Sequence, residues 1–161
     1  KFSDIGDAQN STYILRGTTT NATFTTIQNN GANVKLASNR TIMITAHIVG
    51  RRTDQVNASN SDNAAYVLRG LSHNDGYGAA LVGSLTKTVI AETDSSWDVQ
   101  ATITGAGAGG TDQINIQCKG ASSKTVNWVV KLELLEVGGD VSGYTESNIL
   151  GLGNMDTKEL P

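Results

Sequence analysis

The side chains with the clearest catalytic potential in this sequence are two histidines and one cysteine. A nucleophilic triad needs a histidine next to its nucleophile. His47 alternates with Thr45 on the polar side of an apolar run, which favours a surface or interface histidine. Cys118 is in phase with Ile114 and Ile116, a pattern typical of a buried and unreactive thiol. These residues therefore predict neither a nucleophilic site nor a zinc centre.

The second histidine lies in a polar segment with ligand-binding potential, Ser72-His-Asn-Asp-Gly-Tyr77. Tyrosine rings stack on sugar rings while their hydroxyl groups remain hydrogen-bonded. We therefore take His73, Asn74 and Tyr77 as candidate residues for binding a receptor or glycan. The alternative is that Tyr77 is a partly buried anchor of its own loop.

Two carboxylates flank an aromatic residue, which is one ingredient of glycoside hydrolysis. Asp94 and Asp98 stand on either side of Trp97. However, Trp97 is in phase with Val99 and Ala101, so we expect it in the core and Asp98 on the solvent side. The pattern favours a structural strand over a catalytic pair.

Two loops carry part of the pattern of an ion or phosphate site. Asp54 and the segment 57–63 offer oxygen ligands for calcium, but they lack the EF-hand order. The segment 105–110 is glycine-rich but lacks the Lys-Ser/Thr ending of a phosphate loop. We therefore predict a non-enzymatic chain without a cofactor.

The sequence predicts that these residues are positioned by short strands, which are separated by Asn-, Gly- and Ser-rich turns. In the last strand Trp128, Val130 and Leu132 share one face, and the pair Leu134-Leu135 suggests a β-bulge or a strand end. Nine strands are predicted: 13–16, 23–27, 34–37, 41–49, 65–71, 85–91, 97–104, 113–118 and 125–137. The expected fold is an all-β, antiparallel, jelly-roll-like β-sandwich.

Length and composition limit the other possibilities. The 161 residues suit one domain, which we place at 1–137, followed by an irregular C-terminal arm at 138–161. A net charge of -3 argues against a nucleic-acid partner, and without a long apolar run no membrane span is expected. The chain begins at Lys1 rather than Met, which suggests a processed or partial chain.

Three segments carry a resemblance to a known group of proteins. They are Val89-Ile-Ala-Glu-Thr-Asp-Ser-Ser-Trp-Asp-Val99, Ile114-Asn-Ile-Gln-Cys-Lys-Gly120 and Lys124-Thr-Val-Asn-Trp-Val-Val130, with the last one closing on Leu134-Leu-Glu-Val137. In this order they resemble a C-terminal β module of tailed-bacteriophage tail fibres, tailspikes and head fibres. The resemblance covers residues 40–137 and involves strand patterns without catalytic residues.

The resemblance implies a trimeric β-sandwich on the virion surface. Such a chain would contribute to host attachment, with other virion proteins of the capsid or tail and a host surface glycan as partners. The segment 138–161 extends beyond the usual end of the module, which suggests that it binds another virion protein. A capsid cement protein is one alternative, and a carbohydrate-binding module of a larger enzyme is another.

A homotrimer needs an interface, and the polar-patterned side of a strand is the candidate surface. We place Met43, His47 and Val49 in it, because they occupy the side of the strand 41–49 opposite to its isoleucines.

Overall fold

The computed structural model describes residues 8–55, 61–105 and 111–138, and these contain ten β-strands and no helix. Accordingly, these residues include no helix long and apolar enough to cross a membrane. The strands are β1 (Ala8–Thr19), β2 (Thr25–Ile27), β3 (Val34–Lys35), β4 (Arg40–Arg52), β5 (Asn63–Asn74), β6 (Ala79–Leu81), β7 (Thr86–Glu92), β8 (Asp98–Thr104), β9 (Gln113–Lys119) and β10 (Val126–Gly138). The predicted all-β class is confirmed.

Two antiparallel sheets form a sandwich. The six-stranded sheet has the order β1-β10-β4-β5-β6, with β7 also paired to β5. β9 is the central strand of the four-stranded sheet. β2 and β3 pair with one edge of β9, and β8 pairs with its other edge. Early strands pair with late ones, β1 with β10 and β2 with β9, which is the nested feature of a jelly roll. The pairs β4–β5 and β8–β9 are antiparallel neighbours in sequence.

The core lies between the two sheets, where inward residues of both meet. Trp128 of β10 and Trp97, just before β8, are almost fully buried, and their rings meet edge to face at 5.4 Å. The Trp128 indole donates a hydrogen bond to Thr19 Oγ1 (2.9 Å). Gly50 pairs with Trp128, and a Cβ there would lie 2.6 Å from Cε3 of the ring. The expected core positions of Trp97 and Cys118 are confirmed.

Nine predicted strands coincide with β1–β5 and β7–β10, and only β6 was missed. β6 spans Ala79–Leu81, three residues stabilised by pairing with the end of β5. The expected bulge or end at Leu134-Leu135 is wrong, because β10 continues to Gly138 in unbroken register with β4. Leu134 faces the core and Leu135 faces solvent. The apparent break in phase arises because β10 carries apolar residues on both faces.

Several predicted features lie outside the described residues. These are the C-terminal arm beyond residue 138, residues 57–60 of the segment 57–63 considered for calcium, and residues 106–110 of the glycine-rich segment 105–110.

Candidate functional site: the outer face of the six-stranded sheet

The six-stranded sheet has a second face that no described element covers. We call the solvent-directed residues of β1, β10, β4 and β5 the outer face. A sandwich sheet usually buries one side and presents a polar side to water. The outer face departs from this rule because it carries most of the exposed large apolar side chains among the described residues: Ile14, Met43, Val49, Leu71, Val129, Leu135 and Val137.

Strand register gathers part of these side chains into a first row near one end of the sheet. Val129 of β10 pairs with Val49 of β4, and Val49 pairs with Ala65 of β5. Val49 is 58% exposed and Val129 is 48% exposed. Directly opposed side chains in an antiparallel sheet are in contact range, so these residues form a continuous apolar strip, which we call the valine row.

A second row crosses the same three strands. Leu135 pairs with Met43, and Met43 pairs with Leu71. All three side chains are well exposed, Leu135 the most at 57%. We call this strip the methionine row. Met43 and Val49 are six positions apart along β4, so the two rows are about 20 Å apart at the usual strand rise.

A polar band fills the space between the rows. Lys131 pairs with His47, and Glu133 pairs with Thr45, which in turn pairs with Arg69. Lys131 Nζ lies 2.8 Å from Glu133 Oε1, and His47 Nε2 lies 3.9 Å from Glu133 Oε2. The hydrogen bond from Lys131 is the main reason that the pKa of Glu133 is lowered.

The three residues predicted for a trimer interface therefore share one surface. Met43 belongs to the methionine row, His47 to the polar band and Val49 to the valine row. Their position on an exposed face agrees with the side of β4 that the sequence indicated. The structure adds Val129 and Leu135, which sequence reasoning missed. Their signal was present in the pairs Val129-Val130 and Leu134-Leu135, in which an apolar residue faces each side of the strand.

The predicted glycan-binding residues are only partly brought together. His73 points outward at the end of β5, and Tyr77, in the turn before β6, is 78% exposed. Asn74 is 1% exposed. Its amide donates to Asp112 Oδ2 (2.7 Å), and its Oδ1 accepts a hydrogen bond from Gly76 N (3.1 Å). Asn74 thus supports the turn from inside, whereas the sequence placed it on a binding surface.

An ion-pair network occupies the loops at one end of the sandwich. Lys124 Nζ contacts Asp62 Oδ2 at 2.8 Å and Asp94 Oδ2 at 2.5 Å, and Arg52 binds Asp54 and Asp62. The hydrogen bond from Lys124 is the largest cause that lowers the pKa of Asp94 to about 2. Asp54 also accepts a hydrogen bond from Thr125 N (3.0 Å). These carboxylates therefore hold loops together through cations of the chain itself.

The described residues contain no cluster of three or more His, Cys, Asp or Glu side chains suited to a metal ion. Burial raises the pKa of the Cys118 thiol, which keeps it protonated and unreactive at neutral pH. The expected water-facing Asp98 is partly exposed and bound to Lys87 Nζ at 2.5 Å.

Neither a protein-family model nor a curated protein sequence matches this chain.

Proposed function

We propose that this chain is a structural protein of a bacteriophage virion. It forms a homotrimeric surface β-domain of a fibre, spike or head decoration and contributes to host attachment. The proposal has two supports, the outer face and the resemblance of residues 40–137 to the phage β module. The outer face, a physical property of the folded chain, carries the proposed assembly, and the resemblance carries the proposed place in a virion.

The outer face suits contact with further copies of the same chain. Its apolar rows would leave water on assembly, which is the main favourable contribution to stable subunit interfaces. The polar band carries both signs of charge, with Lys131 bound to Glu133 and Arg69 one strand further on, opposite Thr45. A surface with both signs can present opposite charges to a second copy of itself. Each copy would turn this face towards the threefold axis.

The alternatives predict different behaviour of the same surface. A capsid cement protein would bury the outer face against capsid proteins and would assemble fully only on the particle. A carbohydrate-binding module would be monomeric and would present an aromatic platform. Tyr77 is the most exposed large apolar or aromatic side chain of the described residues, and it is the one candidate for such a platform.

The first experiment is the solution mass of the chain, measured by light scattering over a dilution series. The proposal expects a stable mass near three times 16.9 kDa. A clean monomer at every concentration contradicts the trimer. A dimer would keep the outer face as an interface but contradict threefold assembly.

A second experiment tests the location. Peptides of the chain should be found by mass spectrometry in purified virions of the phage whose genome encodes it. Labelled protein should also bind cells of the host of that phage and not cells of a resistant strain. Absence from the particles contradicts the virion proposal even if the chain is trimeric.

A further inference from the structure

A polar cleft lies where the two sheets meet, between β1 on one side and β2 with the turn that follows it on the other. Its volume is about 480 Å³, and its walls come from 14 and 16–18 on one side and from 25, 26 and 28–31 on the other. This volume falls within the range of about 300–1,000 Å³ that is usual for small-ligand sites. The cleft is more than 20 residues away in sequence from the predicted glycan loop at Tyr77.

Backbone hydrogen bonds hold the two walls in place. Arg16 N donates to Gln28 O at 2.9 Å, which ties β1 to the second wall. Asn29 and Ala32 exchange two backbone hydrogen bonds of 3.0 Å each, closing a two-residue turn over Asn30 and Gly31. Both turn residues have positive φ, 50° and 82°, which is the conformation of a type I′ hairpin. The rim of the cleft is therefore a tight turn and not an open loop.

The polar groups of the cleft fall into two sets. Gln28 Nε2 donates to Asn33 Oδ1 (3.0 Å), and Thr26 Oγ1 accepts a long hydrogen bond from Gln117 (3.4 Å), so these groups are engaged in the walls. In contrast, the guanidinium of Arg16 has no hydrogen bond or ion pair with any described residue. The same holds for the side-chain amides of Asn29 and Asn30. All three residues are exposed.

This set of free groups determines what the cleft can bind. A guanidinium is a bidentate donor for a carboxylate, and amide groups both donate to and accept from hydroxyl groups. Ile14 adds an apolar wall against which the C–H face of a ring can lie. No aromatic residue lines the cleft. Stacking therefore cannot supply the affinity, and the charge of Arg16 must supply much of it.

We propose that this cleft binds a carboxylate-bearing sugar residue, such as a hexuronic or sialic acid unit of a surface polysaccharide. Arg16 pairs with the carboxylate, and Asn29 and Asn30 bind ring hydroxyl groups. Arg16 is the one cationic residue in the cleft lining, and the chain has a net charge of -3, which does not suit the closely spaced phosphates of nucleic acid. A sugar ring with one carboxylate and several hydroxyl groups matches both the charge and the amides.

The cleft borders the proposed trimer interface, because Ile14 belongs to the outer face and Arg16 pairs with Val129 of the valine row. The two proposals are nevertheless tested by separate measurements. Assembly is read from solution mass, whereas sugar binding is read by titration. Either proposal can fail while the other stands.

The test is an NMR titration of the full chain with tri-galacturonate and, separately, with sialyllactose. Reduced tri-galacturonate, in which each carboxylate is replaced by a primary alcohol, is the neutral comparison. At least one acidic sugar should shift the backbone amide signals of residues 28–31 in a saturable manner. The neutral compound should bind at least tenfold more weakly. Equal binding of the acidic and neutral compounds, or no binding of either acid, overturns the proposal.

Variants then locate the site. Arg16→Ala should weaken binding of the acid at least tenfold, Arg16→Lys should weaken it less, and Asn29→Ala should weaken it severalfold. Arg51→Ala is the matched control, because Arg51 is an exposed arginine two strands away on the same sheet, and its loss should change the affinity less than twofold. The solution mass of each variant is measured in parallel. Unchanged binding by Arg16→Ala, with the mass also unchanged, would place the sugar elsewhere.

Discussion

Replacing Val49 by lysine tests the outer face as the subunit interface. Val49 lies in the middle of the valine row, between Val129 and Ala65. Because its side chain is exposed in the single chain, Val49→Lys removes no core contact. The isolated subunit should therefore keep its fold and its melting behaviour, and the effect should appear in assembly.

The magnitude follows from the exposed surface. Full burial of a valine side chain contributes about 1.5–3 kcal/mol, so burying the 58% of Val49 that is exposed contributes about 1–2 kcal/mol per copy. Three copies together would lose about 3–5 kcal/mol, and each 1.4 kcal/mol is a tenfold change. The introduced lysine would also add a charge to a face that already carries Lys131. We expect the dissociation constant of the trimer to rise at least about 100-fold.

The assay is light scattering over a dilution series, with circular dichroism to confirm the fold. Val89→Lys is the matched control. Val89 is 45% exposed, but it belongs to β7 and pairs with the core-facing residue Tyr66, so it lies on the other side of the sheet. Val89→Lys should leave the mass unchanged. If folded Val49→Lys keeps the trimer mass throughout the series, the valine row is not part of the interface.

Three further outcomes test the packing and the ion pairs. Gly50→Ala should destabilise the fold by about 1–3 kcal/mol through overpacking against Trp128, as measured by chemical denaturation. Thr19→Val should cost about 1–3 kcal/mol in the same assay, because it leaves the buried Trp128 N–H without its acceptor. In an acid titration followed by circular dichroism, the contribution of Asp94 should be complete above its ordinary pKa of 3.8 and should fade as the pH falls towards about 2. Lys124→Met should reduce this acid-dependent loss of stability, and an unchanged acid titration would contradict the assignment of the low pKa to Lys124.

Strands with a strong alternation of apolar and polar residues were predictable from the sequence, because each has one apolar side that must face a core. β4 shows this well, with Ile42, Ile44 and Ile48 all buried. The first residues of β1 were not predicted, since Ala8–Thr12 have no apolar alternation. They form a strand because β10 supplies a paired partner along that whole stretch. Tertiary pairing, not local preference, extends β1.

The sequence did not indicate that β7 is an edge strand. The strand was predicted at 85–91, but its apolar run Val89-Ile-Ala91 does not indicate that every residue of β7 is exposed. The register between β5 and β7 shifts between Ala65 and Tyr66, which leaves Ile90 without an opposite residue. Such a bulge disfavours pairing of the edge with another chain. Periodicity alone does not distinguish this edge strand from a central one.

The candidate glycan-binding site was predictable only in part, because neighbouring side chains of a strand point in opposite directions. Asn74 and His73 are neighbours in sequence, but they point to opposite faces of β5, since side chains alternate along a strand. The sequence grouped them because both lie in a polar segment. The register places His73 beside Thr41 on the outer face and Asn74 over Asp112 inside.

The apolar pattern on the outer face is itself an argument for a partner. A single sandwich gains only about 0.2–1 kcal/mol from each exposed cross-strand pair that Leu135 or Val129 makes, and polar residues at these positions would leave the core unchanged. Both nevertheless stand in register with apolar residues of β4, which in turn face apolar residues of β5. Scattered exposed apolar residues are ordinary, whereas ordered rows across three strands favour the proposed interaction surface. Both rows also lie within residues 40–137, the segment that resembles the phage module, so the face proposed as an interface and the resemblance that suggests a trimer coincide.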